Sequence, residues 1–158
     1  MSQTGLITGA SNGIGKACAR VFARKGYDLV LVARHREKLE AVKAELSEYD
    51  VQIKVITMDL TGEDAAVDLY NNLVLDDISI DILVNNAGFG DHGAFHDSSW
   101  EKQKKMVLLN IVALMQMTYV FGQSMKRRKK GRILNVASIA GLCAGPYMST
   151  YYATKAFV

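Results

Sequence analysis

Apolar residues along this chain follow two alternating arrangements. Short, nearly unbroken runs occur at TGLIT (Thr4 to Thr8), DLVLVA (Asp28 to Ala33), QIKVIT (Gln52 to Thr57), DILVN (Asp81 to Asn85) and RILNVA (Arg132 to Ala137). Apolar runs of this length predict strands buried on both faces. Between them, Gly13 to Lys25, Arg36 to Glu48, Glu63 to Leu75 and a long stretch from Ser99 to Arg127 carry apolar residues at helical spacing. Thr61 followed by Asp64, and the Asp97, Ser98, Ser99 group, read as helix N-caps. Strands alternating with helices predict a parallel sheet with helices on both faces and right-handed crossovers, an open doubly wound α/β fold. There is no internal repeat, and the single proline, Pro146, leaves no candidate linker, so residues 1–158 read as one domain.

Composition narrows the class. The chain is 49% hydrophobic and 22% charged, as expected of a globular domain. Its apolar runs fall short of the roughly 20 residues a membrane span needs, and MSQTGLITGAS lacks the basic flank and apolar stretch of a signal peptide. A cytoplasmic location without membrane contact is the expectation. Cys18 and Cys143 have no CxxC or ligand-type spacing and read as reduced, with no zinc site. The net charge of +3 is too small to argue for nucleic acid. The basic run KRRKKGR (Lys126 to Arg132) ends the long helix, where cations are favoured and solvated, and no aromatic residues are interleaved with it. His92 and His96 are four apart, but DHGAFH contains Gly93, so they read as a loop at a pocket rim and not as a metal site.

The first strand runs into TGASNGIG (Thr8 to Gly15), which opens the first helix. Gly9, Gly13 and Gly15 allow a tight turn and a close backbone approach, while the helix N-terminus offers free N–H groups and a positive dipole end. Ser11, Asn12 and Ile14 complete this loop. Such a turn, placed between the first strand and first helix of an alternating pattern, predicts a dinucleotide cradle.

The spacing is GxxxGxG and not GxGxxG. With NNAG (Asn85 to Gly88), Asn110 in LLNIVAL, Ser138 in VASIAG and the YxxxK of YYATK, it resembles the short-chain dehydrogenase/reductase family over the whole chain. The resemblance implies a Rossmann-type fold and a small-molecule carbonyl or alcohol substrate. It also implies a homo-oligomer assembled through the two longest helices. Asp59, followed by Leu60, is expected at the adenine, with Asn86 and Gly88 along the cofactor. At the end of the second strand an NAD enzyme usually places an acid, whereas a 2′-phosphate needs cationic or polar partners. LVARHR has Arg34 there, which favours NADP(H) over NAD(H), with Ser11 able to add a hydroxyl.

Reduction of a carbonyl by hydride needs a proton donor at the carbonyl oxygen, and a free phenol with pKa near ~10 is poorly matched to neutral pH. An ammonium one helical turn away favours the phenolate, and Tyr151 and Lys155 are i and i+4. Tyr152 competes, being three residues from Lys155, but the family pattern selects Tyr151. By the same resemblance Lys155 also holds the nicotinamide ribose, Ser138 hydrogen-bonds the substrate oxygen and Asn110 positions a water that relays the proton. Tyr147, beside Pro146, is expected as a pocket wall.

The family sheet runs 3-2-1-4-5-6-7, and only five strands can be found here. The expectation is therefore the N-terminal, NADP(H)-binding portion of a longer reductase, with the fifth strand left as an open edge. The leading function is an NADP(H)-dependent oxidoreductase interconverting a carbonyl and a secondary alcohol. The alternative is an inactive nucleotide-binding fragment of such an enzyme. An epimerase or dehydratase of the related extended branch would carry TGxxGxxG, which this chain lacks.

Overall fold

The computed structural model describes residues 2–158. Five parallel strands, β1 (Thr4–Thr8), β2 (Asp28–Ala33), β3 (Ile53–Thr57), β4 (Ile82–Asn85) and β5 (Arg132–Asn135), lie in the order β3-β2-β1-β4-β5. In register, Leu6 stands beside Val30 and Leu83, and Ile7 beside Leu31 and Val84. Successive side chains on a strand point to opposite faces, so these two rows enter different cores. Leu6, Val30 and Leu83 pack with α3 (Ala65–Leu75) and α5 (Leu114–Arg128) through Leu69, Leu73, Met117 and Phe121. Ile7, Leu31 and Val84 pack with α1 (Gly13–Arg24) and α2 (Arg36–Glu45) through Ala19, Ala23, Leu39 and Val42. The doubly wound α/β fold expected from the alternation is the one observed.

Burial on both faces holds for β1, β2 and β4 but not for all five strands. β3 is half-buried and every residue of β5 is exposed. The hydrophobic run identifies a strand whether or not both of its faces are covered. Only position in the sheet decides the covering, and β3 and β5 are its edges.

The helices also depart from the periodicity in detail. α2 stops at Glu45, short of the expected Glu48, with Leu46 buried and the Ser47 hydroxyl donating to the Ala44 carbonyl at 2.7 Å. Asp64 and Ser99 occupy the N-cap positions of α3 and α4 (Trp100–Val107), yet neither side chain makes a capping bond. Thr61 instead donates its amide and hydroxyl to Asp59 Oδ1, at 3.0 and 2.9 Å. The long helix is interrupted by a π-helical turn, Leu108–Ala113, between α4 and α5. From Trp100 to Arg128 it has the length and composition to cross a membrane, with a mean hydropathy of 1.4 over its most apolar window, contrary to the reading from short runs. In this fold Met106, Met117, Phe121 and Met125 from it are buried.

At the end of the sheet where β1 and β4 begin, Asp81 ties three elements together. Its carboxylate accepts the Thr4 amide at 3.2 Å, Arg128 at 3.4 Å and Lys130 at 3.0 Å. Its main-chain carbonyl accepts the Arg132 amide that starts β5, at 2.9 Å. The basic run is therefore not only a solvated helix end, because two of its cations hold a buried carboxylate. Burial opposes ionisation of Asp81, but the bonds from Lys130, Thr4 and Arg128 outweigh it and hold the carboxyl below the ordinary value. A depressed folded-state pKa contributes stability above the unfolded pKa, and that contribution disappears as pH falls through the folded pKa. Asp81→Asn is expected to lower urea-unfolding stability at neutral pH by roughly 2 kcal/mol. The gap from the parent should shrink as pH drops below the ordinary aspartate value near ~3.9, and a gap independent of pH would exclude this account.

Candidate active site

Because β1 leads towards β2 on one side of the sheet and β4 lies on the other, the chain leaves their ends in different directions and opens a crevice there. Thr8, the last residue of β1, fixes its width. The Thr8 hydroxyl donates to the Val84 carbonyl at 3.3 Å and accepts the amides of Asn86 and Ala87, both at 3.0 Å. The Asn86 amide group in turn donates to the carbonyls of Thr8 and Gly9, at 3.0 and 3.2 Å. The loops after β1 and β4 are thus held together by side chains as well as by the sheet.

The crevice is a cleft of about 530 Å³. Gly9 takes φ +65, and a Cβ there would lie 2.9 Å from the Ala87 Cα. Gly13 takes φ +51 with nothing within 4 Å of where its Cβ would be, so the backbone is bare towards the cleft. Gly15 serves a different purpose. It is buried, does not line the cleft, and its missing Cβ would stand 2.3 Å from the Gly9 carbonyl, so it lets α1 seat tightly against the turn. The N-cap Asn12 makes no side-chain bond and the first turn of α1 has no acid. Its N–H groups and positive dipole end are left for an anion, and the cradle fits a pyrophosphate.

Of the other residues expected to bind cofactor, Ser11, Ile14, Arg34, Asp59, Leu60, Asn86 and Gly88 all line the cleft. The hydrogen bond from the Thr61 amide, with smaller help from its hydroxyl and from Arg34, holds the Asp59 carboxyl below the usual range. Asp59 is the one carboxylate among the lining residues.

Tyr151 and Lys155 stand on α6 (Ser149–Phe157) and both line the cleft. The Lys155 ammonium donates to the Val136 carbonyl at 2.8 Å and lies 6.0 Å from the centroid of the Tyr151 ring. Burial pushes its pKa below the ordinary lysine value. Two glycines make room for this helix. A Cβ at Gly90 would stand 3.1 Å from the Tyr151 ring, and one at Gly141 would stand 2.5 Å from the Lys155 carbonyl. Tyr152 does not line the cleft and packs over Gly145 instead. Tyr147 lines a small separate cavity that Tyr151 also lines, and not this cleft; its ring lies 5.7 Å from that of His92, and its carbonyl accepts the Gly93 amide.

Ser138 and Asn110 lie outside the nucleotide-sized cleft. Ser138 Oγ accepts the Ala140 amide at 3.1 Å, which leaves its own O–H free to donate. Asn110 is buried in the π-helical turn. Its Oδ1 accepts the Phe89 amide at 3.1 Å, and its Nδ2 donates to the Phe89 carbonyl at 2.9 Å and to Thr154 Oγ1 at 3.0 Å. The Thr154 hydroxyl donates onward to the Tyr151 carbonyl at 2.8 Å. The side chain is therefore a crosslink between the loop after β4 and α6.

Thr8 and Thr154 were not singled out from the sequence, although each sits inside a motif, TGASNGIG and YYATK. Their hydroxyls matter through partners about 80 and 40 residues away, which no local spacing encodes. Thr154→Val keeps the shape but leaves Asn110 Nδ2 short of one partner. It is expected to cost roughly 1–3 kcal/mol in urea unfolding, with Thr154→Ser retaining most of the parent stability.

A sequence model described as short chain dehydrogenase matches residues 3–158. The chain is 35% identical, over 97% of its length, to the very-long-chain 3-oxoacyl-CoA reductase of Phaeosphaeria nodorum, of which it covers 46%. Among solved structures it resembles the bulky-bulky ketone specific alcohol dehydrogenase from Comamonas testosteroni, with TM-score 0.91 and 39% identity, covering 99% of this chain and 63% of that one. A short-chain dehydrogenase from Sphingobium yanoikuyae in complex with NADPH matches with TM-score 0.91 and 39% identity, covering 99% and 61%. The chain spans about half the length of the curated relatives it matches. The glycine turn, the Tyr151 and Lys155 pair and these likenesses agree, and the chain belongs to the short-chain dehydrogenase/reductase family of oxidoreductases.

Proposed function

We propose that this chain carries the NADP(H)-binding and proton-transfer machinery of a reductase that interconverts a carbonyl and a secondary alcohol. The observation behind the proposal is that Tyr151 and Lys155 share one cleft with the bare glycine turn and Arg34. The NADPH complex of the Sphingobium yanoikuyae relative supports the choice of cofactor. In this reading Gly9, Gly13 and the α1 N-terminus hold the pyrophosphate, Asp59 and Leu60 flank the adenine, Arg34 meets the 2′-phosphate, and Asn86 and Gly88 lie along the remainder. Bound nicotinamide supplies or accepts the hydride.

The protein's own part is the proton. The Tyr151 hydroxyl gives its proton to the carbonyl oxygen in reduction and recovers it in oxidation, and the Lys155 ammonium favours the phenolate between the two. Lys155 is held for this by the Val136 carbonyl and not by an acid, so its charge is not neutralised locally. Ser138, with one of its two lone pairs engaged by the Ala140 amide, donates its O–H to the substrate oxygen. The Asn110 side chain is committed to Phe89 and Thr154, so the water that relays the proton would be held by its main-chain carbonyl.

Exposed Ile139 and Leu142 follow Ser138 closely, which supports a bulky apolar carbonyl as substrate. The names of the Phaeosphaeria nodorum and Comamonas testosteroni relatives support the same class. Exposed apolar side chains along α4 and α5, among them Trp100, Met115 and Tyr119, support self-association. A second reading, nucleotide binding without turnover, draws on the openness of the surface beside Ser138, where Ile139 and Leu142 are more than four-fifths exposed.

Fluorescence titration with NADPH and NADH, followed by turnover on bulky ketones and 3-oxoacyl thioesters, separates the readings. Tyr151→Phe is expected to cut turnover by roughly 10²–10⁴-fold while leaving NADPH affinity nearly unchanged. Nucleotide binding with no turnover in parent or variant would favour the second reading.

A further inference from the structure

The cleft carries two cationic side chains at the β2 end, and only Arg34 has been given a task. Lys38 lines the same cleft. Arg34 follows β2 directly, and Lys38 stands four residues later in the first turn of α2. That place is unfavourable for a lysine, because the positive end of the helix dipole repels a cation within the first turn. Glu37 in the same turn offsets part of that repulsion, but no acid forms an ion pair with Lys38 among the described residues. Arg36, in the same turn, pairs with Glu40 at 3.5 Å, whereas Arg34, like Lys38, makes no ion pair among the described residues.

The cleft adds little negative charge of its own. Asp59 is its single carboxylate, and one of its oxygens already accepts both Thr61 donors. Lining cations therefore exceed lining anions, and two of the cations come from the chain immediately after β2. A residue that breaks a local rule without a compensating partner marks a place where function sets the choice. A dianionic phosphate would supply the missing partner for both side chains at once.

We propose that Lys38 is a second 2′-phosphate-recognising residue, which together with Arg34 makes this cleft select the phosphorylated dinucleotide. The inference rests on the NADP(H) reading above and adds a residue to it. Its chemistry predicts a contribution that depends on the 2′-phosphate alone and weakens with salt.

The test is calorimetric titration of the full chain with NADPH, NADH, adenosine 2′,5′-bisphosphate and adenosine 5′-monophosphate. Lys38→Gln removes the charge at an exposed helical position, and unchanged circular dichroism and melting temperature would show that the fold is intact. The variant is expected to weaken NADPH and the bisphosphate by roughly tenfold, with NADH and the monophosphate within about twofold. Its NADPH affinity should also depend less on salt, and Lys38→Arg should restore the parent behaviour. Equal losses for phosphorylated and unphosphorylated ligands, or no loss for either, would overturn the role of Lys38 while leaving the parent's NADPH preference standing. A parent chain that binds NADPH no better than NADH would overturn the nucleotide reading itself, and this inference with it.

Discussion

The geometry of the cleft depends on how the ends of β1 and β4 are held. Sheet hydrogen bonds set the separation of the two strands, but beyond Thr8 and Asn85 the backbone leaves the ladder in two directions. Without further bonds, two glycine-containing loops would move independently. The Thr8 hydroxyl accepts two amides from the β4 loop, and Asn86 returns two bonds to the β1 turn. Four bonds across the gap allow Gly9 to keep its left-handed conformation with Ala87 close behind it. The floor of the cleft is therefore set before any ligand arrives, which reduces the ordering cost of binding.

A second crosslink sets where α6 stands relative to that floor. Asn110 lies in a π-helical turn, a local widening that places its side chain between the Phe89 backbone and Thr154. Such turns interrupt long helices chiefly where a residue has a tertiary task. Here the consequence passes through Thr154 to the backbone of Tyr151, so the loop after β4, the long helix and α6 form one connected unit. Gly90 and Gly141 contribute by absence, since a side chain at either would push α6 away.

Charge is divided between the two ends of the sheet. At the end opposite the cleft, Asp81 gathers two cations and spends them on structure. At the cleft end, Lys155 is buried against a carbonyl, Arg34 and Lys38 form no ion pair among the described residues, and Asp59 is the one lining carboxylate, so the positive potential faces the cavity. Self-neutralised charge holds the fold, and charge left without a partner is available to a ligand.

The alternation of apolar runs determined the five strands, their parallel arrangement and most helix positions, because burial of a two-residue or 3.6-residue period is a local property of sequence. The spaced motifs determined the glycine turn, Arg34 and the Tyr151 and Lys155 pair, since each depends on residues a few positions apart. Tertiary structure alone decided that β5 is exposed along its length, that Gly15 packs a helix instead of facing the cleft, and that the side chain of Asn110 is a crosslink. It also decided that Tyr152 packs over Gly145 while Tyr151 lines the cleft, and that Lys38 shares the cavity with Arg34. In each of these the deciding neighbour comes from another element of the fold, and sequence distance carries no record of which surfaces the folded chain brings together.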